Sequence, residues 1–170
     1  MQGADVLTVI AEIGVALAGF SGIVVALRQR SVESWPLPEI LRLRLMLSAA
    51  VSTLVFALLP FVPHHLGVSP AVTWSVSSLA LAALFGWTLF VSTVRLRPLR
   101  TGLSFRWWVA YQSGTVIAIA ALVSNVGGLF GGPSFGLYLA GVTLLLFVAT
   151  TFFVRLVLAP FAGRQASVRG

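Results

Sequence analysis

The sequence predicts an all-α integral membrane helical bundle of five transmembrane helices, with the N-terminus outside and the C-terminus cytoplasmic. Three observations predict it. The 170 residues are 58% hydrophobic and only 9% charged, against about 25% charged in an average soluble domain. A soluble protein could not cover its surface with so few charges. The chain also contains five apolar runs, each as long as the ~20 helical residues that cross a hydrocarbon core. Finally, its arginines fall in alternate connections, as the positive-inside rule requires.

The spans are placed at 6–27, 43–62, 71–94, 107–126 and 135–158, within a single transmembrane domain covering 1–170. The first run, "AEIGVALAGFSGIVVAL", contains Glu12, one of only four acidic residues. In steps of seven, Asp5, Glu12, Gly19 and Ala26 form one row, and Thr8, Val15 and Gly22 form the next. Small residues let helices approach closely in lipid, and an intramembrane acid ordinarily faces protein or water. Glu12 is therefore expected to point inward, with Gly19 and Gly22 as contact points. The opening "MQGADVL" lacks the basic start of a signal peptide, so the first span is expected to stay attached.

The connection "RQRSVESWPLPEILR" carries Pro36 and Pro38, which mark a loop turning into the second span, with Trp35 at the interface. An outer turn follows the second span at Pro60 and Pro63, where His64 and His65 read as ordinary interfacial residues. A pH-sensitive loop is the sharper alternative there. The third span has a row of Ala71, Ser75, Ser78, Ala82 and Gly86. The fourth opens on Trp107 and Trp108, an inner aromatic anchor, and continues along Tyr111, Gly114, Ala118, Ala121, Asn125 and Gly128. "GGLFGGPSFG" is a tight outer turn, since it lacks the GxxxxGK[ST] pattern of a phosphate loop. The fifth span offers Gly136, Ala140 and Thr143 as its small or polar face.

The net charge of +7 and a pI near 11.8 invite a nucleic-acid reading. The positions of the charges answer it. All eleven basic residues are arginine. Arg28, Arg30, Arg42 and Arg44 flank the first connection, Arg95, Arg97, Arg100 and Arg106 the third, and Arg155, Arg164 and Arg169 end the chain. Topology explains that distribution, with anionic lipid head groups as a secondary partner. The sequence thus calls for the lipid bilayer and no nucleic acid. A second copy of the chain or another membrane protein is the further partner it allows. The expected location is the bacterial inner (cytoplasmic) membrane.

Glu12 lies sixteen residues from Arg28, roughly 24 Å at about 1.5 Å per residue, and Asn125 lies nineteen from Arg106, about 28 Å. The two are expected at similar depth and able to meet, with Ser124, Thr73, Tyr138, His64 and His65 as other outer-side candidates. Glu12 and Asn125 are therefore the candidate proton/cation or packing site. Gly19, Gly22, Gly114, Ala118 and Gly86 form the candidate helix-packing seam. Ser48, Ser52, Ser75, Ser78 and Thr143 supply hydroxyls for a narrow wet path or, more simply, for helix contacts.

With no cysteine there is neither a disulfide framework nor a thiolate metal site. No Ser/His/Asp, Cys/His or paired-carboxylate arrangement is found, so neither an enzyme nor any cofactor or metal is expected. "AGFSGIVVAL" ending in "RQR" resembles small uncharacterised multi-spanning membrane proteins of high-GC bacteria. The resemblance covers mainly the first span, and implies no activity and no residue roles. Two function classes follow: a non-enzymatic structural or accessory bundle packed through small-residue faces, or a small oligomeric channel or proton/cation transporter using Glu12.

Overall fold

The computed structural model describes residues 3–27, 37–94, 105–129 and 131–167; for 27, 37–38, 105–107 and 159–167 it describes the backbone alone. The helices are α1 (Ala4–Leu27), α2 (Leu37–Leu58), α3 (Phe61–His65), α4 (Pro70–Val94), α5 (Phe105–Val126) and α6 (Phe135–Ser167). No strand occurs among the described residues. Among the described residues five segments are long and apolar enough to cross a membrane: Ala4–Ala26, Glu39–His65, Pro70–Val94, Trp108–Val126 and Phe135–Leu158. The second runs from α2 through the turn at Pro60 into α3. Residues 28–36 and 95–104, with the arginines, Trp35 and Pro36 they contain, lie outside the described residues, as do Phe130, Arg169 and the side chains of Arg106, Trp107 and Arg164.

The chain folds as two helix pairs, α1 with α2 and α4 with α5, and α6 touches all four of these helices. At one end, Tyr138 of α6 donates a hydrogen bond to the Phe56 carbonyl of α2. Trp74 of α4 lies against Phe135 at 5.2 Å and Tyr138 at 5.8 Å between ring centroids. The Phe135 ring also covers Gly3, which has φ +72° and no room for a Cβ. This is the Gly3 end. At the opposite, Arg42 end, Leu43 and Met46 of α2 pack on Leu156 of α6.

Two further glycines allow close approaches between helices. A Cβ at Gly14 would lie 3.1 Å from the Ala50 carbonyl oxygen and 3.4 Å from the Leu54 nitrogen, so α1 and α2 meet there backbone to backbone. A Cβ at Gly141 would lie 2.8 Å from Leu81 and 3.3 Å from Leu122, where α6 enters between α4 and α5. The buried face of α1 is Leu7, Ile10, Ala11, Gly14, Leu17 and Ser21, a regular three-and-four spacing.

The expected seam is not a packing seam among the described residues: Gly19, Gly22, Gly86 and Gly114 have nothing within 4 Å of a Cβ there. Of the seam residues, Ala118 alone packs against the core. On α5 the buried row is Gln112, Thr115, Leu122 and Asn125, largely one position round from the expected one. On α6 the buried residues include Tyr138, Gly141, Val142 and Leu145, while Gly136, Ala140 and Thr143 face outward. The physical reason is general. Lipid is as apolar as a protein interior, so large apolar side chains gain little by choosing one over the other. Here Leu, Tyr and Phe fill much of the space between helices and several small residues are left outside.

Candidate functional site

Glu12 sits near the middle of the outward side of α1. It is two residues from Gly14, hence about 160° round the helix from the α2 contact at 100° per residue. Asp5, Thr8, Glu12, Val15, Gly19, Gly22 and Ala26 are all exposed. The two rows read from the sequence thus share one face, and it is the outer one. Glu12 has no hydrogen-bond or ion-pair partner among the described residues. One turn earlier, the Thr8 hydroxyl donates to the Ala4 carbonyl at 2.9 Å. From the Ala4 end, Glu12 is eight residues in, about 12 Å along the axis. Gly19 is seven residues further, about 10 Å deeper.

Asn125 does point inward, as expected, but Glu12 is not its partner. Its Nδ2 donates to Ser78 Oγ at 2.9 Å and to the Ser134 carbonyl at 3.1 Å. Its Oδ1 accepts from the Ser134 backbone N–H at 2.7 Å and from Ser134 Oγ at 3.3 Å. Asn125 is 1% exposed, so it satisfies its polar atoms almost entirely within the protein. It is a clasp: one side chain ties α4 to α5 and fixes the glycine-containing turn where the chain enters α6. Within that turn Gly128, Gly131 and Gly132 all have positive φ, which explains their residue type.

The other outer-side candidates have local roles. Ser124 donates to the Ala120 carbonyl at 2.8 Å, and His65 Nδ1 lies 2.8 Å from the Phe61 carbonyl oxygen. His64 is half-buried in α3 beside it. Thr73 and Ser77 are buried on α4 with hydroxyls that find no partner among the described residues. At the Arg42 end, Ser92 Oγ donates to Gln112 Oε1 at 2.9 Å. Polar contacts therefore mark both ends of the α4–α5 interface. Between them the bundle is filled by Leu81, Phe85, Leu122, Val142 and Leu145, none more than 5% exposed.

The hydroxyls proposed for a wet path do not gather. Ser48 and Thr143 face outward, Ser52 and Ser75 are half-buried, and Ser78 is taken by Asn125. No cluster of three or more His, Asp or Glu residues able to hold a metal ion occurs among the described residues. Comparison with known proteins finds no matching family, no matching curated protein and no matching solved structure.

Sequence reasoning missed Gly14, Gly141 and Trp74 as organising residues of α1, α6 and α4, and it named Tyr138 only as an outer-side candidate, whereas Tyr138 ties α6 to α2. A signal for the first was present. Leu7, Gly14 and Ser21 are also spaced by seven, and Ala11 and Ala18 by seven again, so a second small-residue row ran parallel to the one carrying Glu12.

Proposed function

We propose that this protein is a non-enzymatic accessory bundle of the bacterial inner membrane, with its N-terminus outside and C-terminus inside, which docks laterally through α1. The observation that carries this reading is the outward position of Glu12 in a helix apolar enough to span a bilayer. A carboxyl group held against hydrocarbon costs several kcal/mol, roughly 2.5–3.5 at a helix centre on insertion scales. That cost is relieved by a neighbouring protein surface. The open glycines below Glu12 offer such a surface a close approach. The arginine distribution supports the orientation: charges lie at the connections expected inside and none at those expected outside.

A transport role has less support. A path for protons or cations through one copy would have to pass the packed side chains of Leu81, Phe85, Leu122, Val142 and Leu145, and Glu12 stands outside that interior. Purified protein in liposomes is therefore expected to give no proton or cation flux above that of empty vesicles. A robust flux that disappears in a folded Glu12→Gln variant would overturn the accessory reading and establish Glu12 as a transport group.

A further inference from the structure

A helix carbonyl ordinarily accepts from the N–H four residues on, and for Phe56 of α2 that residue is Pro60, which has no N–H. The backbone partner is missing by sequence. The ladder is intact just before the break, where the Leu59 N–H donates to the Val55 carbonyl at 2.8 Å, and resumes after it, where the His64 N–H donates to the Pro60 carbonyl at 3.3 Å. Leu59 meets the same difficulty at Pro63, and its carbonyl accepts instead from the Val62 N–H at 3.2 Å. At Phe56 the substitute comes from another helix. The Tyr138 hydroxyl of α6 donates to that carbonyl.

Pro60 and Tyr138 are both fully buried. The segment through the break is apolar enough to cross a membrane, and in such surroundings a carbonyl without a donor carries a cost that water cannot relieve. The donor is held in place, since Trp74 of α4 packs beside the Tyr138 ring at 5.8 Å between centroids. Beyond the break, α3 has no buried residue of its own. Its packing therefore does little to fix its direction.

We propose that Tyr138 replaces the backbone donor that Pro60 removes and, by doing so, sets the direction in which α3 leaves α2. The device joins three helices at one carbonyl: α2 presents the acceptor, α6 supplies the donor and α4 braces it. The short helix carrying His64 and His65 depends on that joint. This inference is independent of lateral docking through α1.

The test is a double-mutant cycle on the full-length chain, read by denaturation in mixed micelles. Tyr138→Phe keeps the ring and removes the donor, so it should lower the folding equilibrium constant about five- to a hundredfold, the range for one buried polar group left unpaired. With Pro60→Ala also present, residue 60 regains its N–H, and the same change should cost at least about threefold less, a coupling that independent sites do not show. An equal loss in both backgrounds, or no loss in the first, would overturn the proposal. The direction of α3 is read from nitroxides at Leu66→Cys and Leu129→Cys, both in exposed turns of a chain without cysteine. Their distance distribution should broaden in Tyr138→Phe and narrow again when Pro60→Ala is added; a distribution that Tyr138→Phe leaves unchanged would overturn control of α3 by this bond.

A measurement on the native joint needs no variant at Tyr138. With carbonyl-labelled phenylalanine and nitrogen-labelled alanine, only Phe56–Ala57 and Phe161–Ala162 give a coupled signal, and Phe161→Leu removes the second. The Phe56 carbonyl resonance should fall at the downfield position of a hydrogen-bonded helical carbonyl. A resonance at the position of a free carbonyl would overturn the proposal.

Discussion

Gly14 and Gly19 lie five residues apart on one helix, and the structure gives them opposite roles. A methyl at Gly14 would sit 3.1 Å from the Ala50 carbonyl oxygen, a backbone atom that cannot rotate away. Alanine there gains about 0.5–1 kcal/mol of helix preference over glycine. It loses a similar amount as α1 and α2 shift by a few tenths of an ångström, so Gly14→Ala should be close to neutral. Leucine adds three further carbons at the same contact, and overpacking of this kind costs about 1–3 kcal/mol. Gly14→Leu should therefore lose about 2–3 kcal/mol. Gly19→Leu enters open space and should change the monomer by less than about 0.5 kcal/mol, as outlying substitutions do. The assay is denaturation by sodium dodecyl sulfate in mixed micelles, followed by circular dichroism, at dilutions where the chain is monomeric. Equal tolerance at both sites, or a larger loss at Gly19, would refute the assignment of the α1 faces.

Three further outcomes are expected. Asn125→Ala removes the partners of Ser78 Oγ and of the Ser134 N–H and carbonyl; it should lose about 2–3 kcal/mol in the same assay, the range for leaving buried polar groups unpaired, and a loss below 0.5 kcal/mol would contradict the clasp. Gly141→Ala meets only the flexible ends of Leu81 and Leu122, so it should cost about 1 kcal/mol or less, and a loss as large as that of Gly14→Leu would show that those side chains cannot yield. For topology, Ser69→Cys should react with an impermeant thiol reagent on intact cells and Ser167→Cys only after permeabilisation; the reverse pattern would overturn the N-out, C-in orientation.

The existence and placement of five helices long and apolar enough to span a membrane were legible in the sequence because the length of an apolar run is read directly from it. Most helix ends fall within a few residues of the hydropathic runs; α2 gains its extra turns from "LPEILR", whose charges hid its helical character, and α6 continues to Ser167, nine residues past the expected end. Which face of each helix turns inward was much less legible. In water, burial separates apolar from polar residues, whereas for a helix long and apolar enough to cross a membrane both sides would meet apolar surroundings. Glu12 made its row look like the interior, yet the parallel row through Leu7, Gly14 and Ser21 is the one that α2 touches. Asn125 shows the intermediate case. Its inward direction followed from its chemistry, but Ser78 and Ser134 became its partners because the turn at 127–134 returns the chain beside it.

Nitroxide labels placed singly at successive positions from Val9 to Gly22 of α1 would test the two-faced helix most directly. Collision rates with oxygen report exposure to the apolar phase. In micelles dilute enough to keep the chain monomeric, oxygen access should oscillate with a period near 3.6 residues, lowest at Ala11, Gly14, Leu17 and Ser21 and highest around Glu12, Ala16 and Gly19. A minimum at Glu12 and Gly19 in the monomer would place their row inside the bundle and contradict the account.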